Sequence, residues 1–192
     1  MTARLVIMGP QGSGKGTQAV RLAERFGVPT ISTGDTFRAN IKGGTELGLL
    51  AQSYTAKGDL VPDSVTNDMV KDRLAQPDAA DGFILDGYPR NAAQVTALDA
   101  ILADLDTRLD AVAELVADRD ELLARLARRA EIEGREDDTE QAIARRLDIY
   151  AEQTAPLTSA YDARGLLVRV DGTGGIDEVT ARLFAALDPV VR

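Results

Sequence analysis

One segment near the N-terminus predicts how the chain folds and what it binds: Gly9-Pro10-Gln11-Gly12-Ser13-Gly14-Lys15-Gly16-Thr17. Its glycines let backbone N–H groups turn inward around an anion, and Lys15 adds a mobile cation. The apolar run Leu5-Val6-Ile7-Met8 precedes it, and apolar residues at helical spacing follow from Ala19 to Phe26. Strand, loop and helix in this order aim a helix N-terminus at phosphate groups, so we expect a phosphate-binding loop rather than an ordinary glycine-rich turn.

Composition narrows the chemistry that the chain can perform. The 192 residues are 44% hydrophobic, which is enough for one domain with a sizeable core. The sequence contains no cysteine and no histidine. Disulfides, thiol nucleophiles, imidazole bases and the usual zinc ligand sets are therefore excluded. Lysine, arginine, carboxylates and an oxygen-liganded metal such as Mg²⁺ remain.

Charge and hydropathy limit the partners. The net charge of −9 argues against a broad nucleic-acid surface or an anionic membrane, but a small anion remains possible where cations cluster. No apolar run approaches the ~20 residues of a membrane span. Only Met1-Thr2-Ala3-Arg4 precedes the first predicted strand, which leaves no room for a signal peptide. We expect a cytoplasmic protein.

Strands and helices are predicted to alternate along the chain. Four further apolar runs indicate strands, at 28–31, 83–85, 111–116 and 166–170. Asp138 with Gln141 is typical of a capping box, here at the start of one long amphipathic helix that reaches Tyr161. Alternation of this kind predicts an α/β fold, a parallel sheet with helices on both faces. Two segments fit the sheet poorly: a glycine-punctuated helical lobe near 32–61 and a short polar loop at 128–138.

Asp86 follows the apolar run 83–85 directly. A carboxylate at the end of a buried parallel strand lies beside the phosphate loop in P-loop folds, where it can hold Mg²⁺ directly or through water. The alternative is a polar strand end that leads into the turn Gly87-Tyr88-Pro89. Arg90 favours the functional interpretation, because a guanidinium directly after that turn returns towards the strand ends.

The segment Ile31-Ser32-Thr33-Gly34-Asp35-Thr36-Phe37-Arg38 is a second candidate phosphate site. Its hydroxyls and carboxylate can cap a helix, and Arg38 can hold a phosphate. Taken alone, the segment is more typical of a helix N-cap followed by a solvated arginine.

Arginines surround the short polar loop. Arg125 and Arg129 are spaced i, i+4 and share a helix face, whereas Arg135 lies in the loop and Arg146 on the next helix. The alternative is a set of surface ion pairs with nearby acidic residues. Those residues are Glu131, Glu133, Glu136, Asp137 and Asp138. A phosphate loop, a second nucleotide lobe and a lid of arginines together predict phosphoryl transfer, which needs alignment, charge neutralisation and exclusion of water.

Over almost its whole length the chain resembles the adenylate kinases of the short-lid type. The variant Gly-Lys-Gly-Thr at 14–17, Ser-Thr-Gly-Asp at 32–35, Asp-Gly-Tyr-Pro-Arg at 86–90 and Glu-Gly-Arg-Glu-Asp-Asp at 133–138 carry the resemblance. It implies a P-loop NTPase-like five-stranded parallel sheet and the reaction ATP + AMP ⇌ 2 ADP with Mg²⁺, without zinc. It also implies a monomer with a core at 1–31, 62–127 and 139–192, an AMP lobe at 32–61 and a lid at 128–138.

The resemblance also assigns residues. For ATP it implies Gly12, Ser13, Gly14, Lys15, Gly16, Thr17, Arg125 beside the base, Arg129 and Gly174. For AMP it implies Thr33, Arg38, the backbone of Asp59, Leu60 and Val61, then Gly87, Tyr88, Pro89, Arg90, Gln94, Arg135 and Arg146. The implied catalytic set is Lys15, Arg90, Arg129, Arg135 and Arg146. Mg²⁺ is expected to be held by nucleotide and water, with Asp86 and Thr17 as the nearest protein groups.

One departure and two alternatives remain open at this point. Gln11 stands where the family often has proline, which we expect to loosen the loop. A UMP/CMP kinase shares most of these motifs, but Thr33 favours AMP because the pyrimidine enzymes tend to have alanine there. A non-catalytic ATP-binding protein on the same fold is the other alternative, and the retention of Lys15 together with the arginines argues against it.

Overall fold

The computed structural model describes residues 2–133 and 138–191. Within these residues five strands form one sheet. They are β1 (Ala3–Met8), β2 (Thr30–Ser32), β3 (Gly82–Asp86), β4 (Ala111–Val116) and β5 (Leu167–Asp171). Their order across the sheet is β2-β3-β1-β4-β5, and every pairing is parallel. The predicted α/β fold with a five-stranded parallel sheet is confirmed.

Helices connect the strands and cover the sheet. They are α1 (Lys15–Phe26), α2 (Thr33–Lys42), α3 (Glu46–Thr55), α4 (Asp63–Leu74), α5 (Ala92–Asp104), α6 (Arg119–Glu133), α7 (Glu140–Ile149), α8 (Leu157–Ala163) and α9 (Ile176–Leu187). A 3₁₀ turn spans Pro77–Ala79. None of the helices in the described residues is both long and apolar enough to cross a bilayer.

The central strands β1, β3 and β4 are buried on both faces. In β1, Leu5 and Ile7 pack with Leu22 of α1 and Leu183 of α9 on one face. Val6 and Met8 pack on the opposite face, against side chains of α4, α5 and α8. Because successive side chains of a strand point to opposite faces, this double burial explains why the strands are continuous apolar runs. The carboxyl ends of β1 and β3 consequently meet at one edge of the sheet, with Ile7 opposite Asp86.

Helices α2 and α3 form a separate small unit around Phe37, Ala51 and Val61. The two helices cross closely at Gly48, where a Cβ atom would lie 2.1 Å from the carbonyl oxygen of Asn40. A side chain at Gly48 would therefore force the helices apart.

The helix predicted to run unbroken from Asp138 to Tyr161 is wrong in two respects. Its cap is Thr139, whose hydroxyl accepts the Ala142 N–H at 3.1 Å. The helix is also interrupted by a π-helical turn at Tyr150–Thr154, where the Ala155 N–H reaches back to the carbonyl of Tyr150 at 2.7 Å. The turn directs the Thr154 hydroxyl to the carbonyl oxygen of Arg90 at 2.6 Å, at the edge of the candidate site.

Candidate active site

The predicted phosphate loop connects β1 to α1. Gly14 is the N-cap of α1 in the left-handed region, with φ 88°, and contributes no capping side chain. The first turn of α1 contains no acidic residue. The first N–H groups of a helix have no intrahelical acceptor, so this turn offers backbone donors to an anion. Gly12 and Ser13 lie in the loop before Gly14, and Gly16 and Thr17 are exposed in the first turn.

The Ser13 hydroxyl is buried in the same loop. Its oxygen has no hydrogen-bond partner among the residues that the structure describes. A buried hydroxyl without a partner is costly unless a ligand or water satisfies it. The loop therefore contains a buried side-chain donor in addition to the backbone donors of α1.

Lys15 lies where several charges converge. Burial lowers the pKa of its ammonium group from 10.5 to about 8. Asp86 opposes the shift, whereas Arg90, Arg129 and Arg38 add to it by repulsion. Cations from three other segments therefore act on one lysine, which is the electrostatic setting of a polyanion site.

Asp86 is the last residue of β3 and is 8% exposed. Its Oδ1 atom accepts no hydrogen bond from the described parts of the chain. Its Oδ2 atom would lie 3.6 Å from a Cβ at Gly16, so the carboxylate faces the first turn of α1. The structure thus places this acid beside the phosphate loop, as the sequence predicts.

The carbonyl oxygen of Gly87 joins the second candidate site to the turn after β3. It accepts the Thr33 hydroxyl at 3.0 Å and the Arg90 Nε–H at 2.7 Å. Burial lowers the pKa of the Arg90 guanidinium, and Arg146 and Arg38 lower it further. Arg90 therefore returns towards the strand ends and lies among the other cations.

The N-cap interpretation of the segment 31–38 is confirmed at Ser32, whereas the phosphate-site interpretation stays a prediction. The Ser32 hydroxyl caps α2 by accepting the Asp35 N–H at 3.2 Å, as the N-cap alternative predicts. Arg38 pairs with Asp35 through its Nη2 atom. Its charge nevertheless acts on both Lys15 and Arg90, so it is not an isolated surface arginine.

Of the other residues expected to bind AMP, Gln94 contacts Arg90, whereas the side chain of Tyr88 packs in the core. Gln94 is buried in the first turn of α5, and its Oε1 atom accepts the Arg90 N–H at 2.8 Å. Tyr88 is 1% exposed and packs in the core, with its hydroxyl donating to Asn67 Oδ1 at 2.7 Å. Its side chain therefore stabilises the turn, and Pro89 beside it is buried as well.

The turn after α3 contacts α7. The Arg145 Nε–H donates to Asp59 Oδ1 at 2.9 Å, and Arg146 Nη2 donates to the Thr55 carbonyl at 3.2 Å. Leu60 is half-buried and Val61 belongs to the small core of α2 and α3. The side chain of Asp59 thus points to α7, and only its backbone remains for the predicted contact with a base.

A buried carboxylate joins the arginines that flank the polar loop. The Asp138 side chain is fully buried, with Oδ2 2.6 Å from Arg129 Nη2 and Oδ1 3.0 Å from Arg146 Nη1. Gln11 Nε2 also donates to Oδ1, at 2.9 Å. The alternative of surface ion pairs is therefore wrong for Asp138, because its carboxylate is fully buried between two arginines that are themselves only partly exposed.

The same contacts change two sequence-based expectations. Gln11 ties the phosphate loop to Asp138, so the expectation that it loosens the loop is not supported by its contacts. Both oxygens of Asp138 accept from arginines, and Thr139 rather than Asp138 caps α7.

Arg125 occupies a different place from Arg129. Its Nη2 atom donates to the carbonyls of Gly172 at 2.9 Å and Gly174 at 3.4 Å, and its Nη1 atom donates to that of Ser13 at 3.4 Å. It also pairs with Glu121. The guanidinium therefore links the phosphate loop to the turn after β5, where the base of a bound nucleotide is expected.

Arg135 lies outside the described residues. Sequence reasoning did not assign a role in the site to Asp138, Gln11 or Asp63, which accepts the Gln94 Nε2–H at 2.8 Å. Gln11 and Asp138 lie within the quoted segments 9–17 and 133–138, and Asp63 lies two residues after Val61, but their partners come from other elements.

The sequence is similar to known proteins of a single family. A family model described as "Adenylate kinase" matches residues 7–166. Proteins named adenylate kinase from Bifidobacterium longum and Kocuria rhizophila are 65% and 60% identical over 185 residues, covering 96% of this chain and 100% and 98% of theirs. A third, from Thermobifida fusca, is 58% identical over 184 residues, covering 96% of this chain and 97% of its own.

Proposed function

The chain belongs to the adenylate kinase family, and on that premise we propose that the cations around Lys15 hold the phosphates of ATP and AMP end to end. The enzyme transfers the terminal phosphoryl group of ATP reversibly to AMP, giving two ADP. One observation carries the assignment of residues. Charges on Arg38, Arg90 and Arg129 each lower the pKa of Lys15, although they belong to three different segments.

We assign the donor site to the loop and its surroundings. The backbone donors of the first turn of α1 and the Lys15 ammonium bind the ATP phosphates. Arg125 and the turn at Gly174 flank the adenine. The full proposed set is Gly12, Ser13, Gly14, Lys15, Gly16, Thr17, Arg125, Arg129 and Gly174.

We assign the acceptor site to the lobe and the turn after β3. Arg38 and Arg90 bind the AMP phosphate, because guanidinium groups match phosphate oxygens bidentately. Thr33, Gln94 and the backbone from Asp59 to Val61 contact the base. Gly87, Tyr88 and Pro89 shape the turn that carries Arg90, and Arg135 and Arg146 complete the set.

Transfer then requires alignment and charge compensation more than covalent chemistry. An oxygen of the AMP phosphate forms a bond to the γ-phosphorus of ATP as the bond to the β–γ bridging oxygen breaks, and ADP leaves with that electron pair. The acceptor is already an anion near neutral pH, so no general base is needed. Arg129, Arg135 and Arg146 stabilise the charge on the transferring group.

We propose that Mg²⁺ enters with ATP, where it neutralises phosphate charge. The Oδ1 atom of Asp86, which has no hydrogen-bond partner within residues 2–133 and 138–191, fits a water of the hydrated ion, and Thr17 lies in the adjacent first turn of α1. The described residues contain no cluster of three or more metal-ligating side chains. Nucleotide oxygens and water would therefore supply most ligands.

We propose that the chain is organised into a core, an AMP lobe and a lid. The core comprises 1–31, 62–127 and 139–192, the AMP lobe 32–61 and the lid 128–138. We propose a monomer, because one chain supplies the residues of both sites, and a cytoplasmic location, where both substrates are available.

A coupled assay of acceptor specificity tests this assignment. With ATP as donor, kcat/KM for AMP is expected to exceed that for CMP and UMP by at least about 10²-fold, because polar groups that bind adenine are left unpaired by a pyrimidine. Excess EDTA is expected to abolish turnover with every acceptor. Comparable rates with AMP and CMP would contradict the assignment of Thr33 and Gln94.

The pH dependence of ATP binding tests the assignment of Lys15. Its pKa of about 8 in the free enzyme means that the ammonium loses its proton as the pH rises through 8. Bound phosphates favour the charged form, so binding above that pH takes up a proton. KM for ATP is expected to be constant up to about pH 7.5 and to rise towards about pH 9.5.

The control is Lys15→Arg, because a guanidinium keeps its charge over this range. Its KM for ATP is expected to be higher at neutral pH but nearly independent of pH. A flat profile for the wild-type enzyme would contradict either the lowered pKa of Lys15 or its contact with the ATP phosphates, and a KM for ATP unchanged in Lys15→Arg would contradict the contact.

A further inference from the structure

The Gln94 side chain is held at both ends of its amide. Gln94 lies in the first turn of α5 and is 2% exposed. Its Oε1 atom accepts the backbone N–H of Arg90 at 2.8 Å, and its Nε2 atom donates to Asp63 Oδ1, also at 2.8 Å. Asp63 is the first residue of α4 and lies two residues after Val61, the end of the segment assigned to the AMP base.

The chemistry of these two partners dictates the orientation of the amide. A backbone N–H can only donate, so it requires the Gln94 oxygen, and a carboxylate can only accept, so it requires the nitrogen. Rotation of the amide by half a turn would oppose donor to donor and acceptor to acceptor. The Asp63 oxygen is itself fixed, because Asn91 Nδ2 donates to it at 3.0 Å.

The held amide retains one acceptor and one donor site. Each of its polar atoms makes two hydrogen bonds when saturated, and one of each is used. A 6-aminopurine presents an amino donor beside a ring-nitrogen acceptor, whereas a 6-oxopurine presents an oxygen acceptor beside an N–H donor. A fixed amide therefore complements one of these patterns and opposes the other.

We propose that Asp63 is a specificity-determining residue that acts through Gln94: by accepting the Nε2 hydrogen it holds the amide in the orientation that matches a 6-aminopurine monophosphate and rejects a 6-oxopurine. The proposal rests on the assignment of Gln94 to the AMP base made above. Asp63 touches neither phosphate nor base and is a positioning residue.

The test is the ratio of kcat/KM for AMP to kcat/KM for IMP, its 6-oxo analogue, with ATP as donor. This ratio does not depend on the fraction of active enzyme, so a partly unfolded variant still gives a valid value. Asp63→Ala is expected to lower the ratio about tenfold, since one orienting hydrogen bond is lost. KM for ATP is expected to stay within about twofold of the wild-type value.

Three further variants separate orientation from charge and from stability. Asp63→Asn keeps an acceptor oxygen without the charge and is expected to retain the wild-type ratio. Asp68→Ala removes an exposed acid from the same helix and is expected to change nothing. Asp63→Ser, which suits a helix start, is measured in parallel with Asp63→Ala and is expected to lower the ratio likewise.

The outcomes distinguish the role of Asp63 from the assignment of Gln94 to the AMP base. Gln94→Ala is expected to lose the preference for AMP over IMP. If it does, and if the ratio is unchanged in Asp63→Ala and Asp63→Ser, the role of Asp63 is overturned. Equal losses in Asp63→Ala and Asp63→Asn would overturn orientation by hydrogen bonding. If Gln94→Ala leaves kcat/KM for AMP unchanged, the assignment of Gln94 to the base fails instead.

Discussion

Arg146→Ala is expected to lower kcat by about 10²–10³-fold, the usual loss when one preorganised donor to a transition state is removed. The Arg146 side chain is 16% exposed and is held by Asp138 and by the carbonyl of Thr55. Its charge also lowers the pKa of Arg90, so both guanidiniums act in the same volume. KM for ATP is expected to change much less, because we assign binding of the ATP ground state to Lys15 and the loop amides.

Steady-state kinetics of matched variants check this result. Arg145→Ala removes the neighbouring arginine, which is half exposed and pairs with Asp59, and its kcat is expected to remain within about threefold of wild type. Arg146→Lys is expected to recover little activity, because an ammonium lacks the planar pair of donors that fits a phosphoryl group. A kcat near wild type in Arg146→Ala would remove this arginine from the proposed mechanism.

Arg129 and Arg135 belong to the same test. Arg129 reaches Asp138 from α6, whereas Arg135 lies outside the described residues. If Arg129, Arg135 and Arg146 act as one charged group, replacing two of them should raise the activation free energy by less than the sum of the two single replacements. Residues that act as a unit do not have additive effects on kcat.

The fold could be predicted because its strands and helices follow from local patterns in the sequence. Parallel strands buried on both faces must be apolar throughout, and all five predicted runs became strands. The run at 28–31 was placed least accurately: the strand spans Thr30–Ser32, and only one of its three residues is buried, so its apolar pattern is weak. The phosphate loop is equally local, because strand, glycines and helix adjoin one another.

Contacts between distant segments could not be derived in the same way. Asp138 and Thr139 are adjacent and equally suited to cap a helix. The choice of Thr139 depends on Arg129 and Gln11, which reach Asp138 from α6 and from the phosphate loop. The orientation of Gln94 likewise depends on Asp63 across the gap between α4 and α5. Periodicity and spacing carry no information about such pairs.

The second large effect is expected in stability, from Asp138→Ala. Removal of this fully buried carboxylate leaves Arg129 and Arg146 close together without their shared counter-ion, at 23% and 16% side-chain exposure. Breaking a buried pair from one side costs about 3–5 kcal/mol, and partial access of water to the arginines favours the lower end. We expect the free energy of unfolding to fall by about 3 kcal/mol and Tm by about 6–12 °C.

Thermal unfolding with and without ligand identifies the origin of this loss. The control is Asp99→Asn, which breaks an exposed pair with Arg164 and should cost no more than about 1 kcal/mol. A bisubstrate analogue, two adenosines joined through five phosphates, would bring phosphate oxygens to the same guanidiniums and replace the missing carboxylate. Its stabilising shift in Tm should therefore be larger for Asp138→Ala than for the wild-type enzyme. Equal shifts would mean that the arginines held by Asp138 do not meet the phosphates, and that the ion pair serves the fold alone.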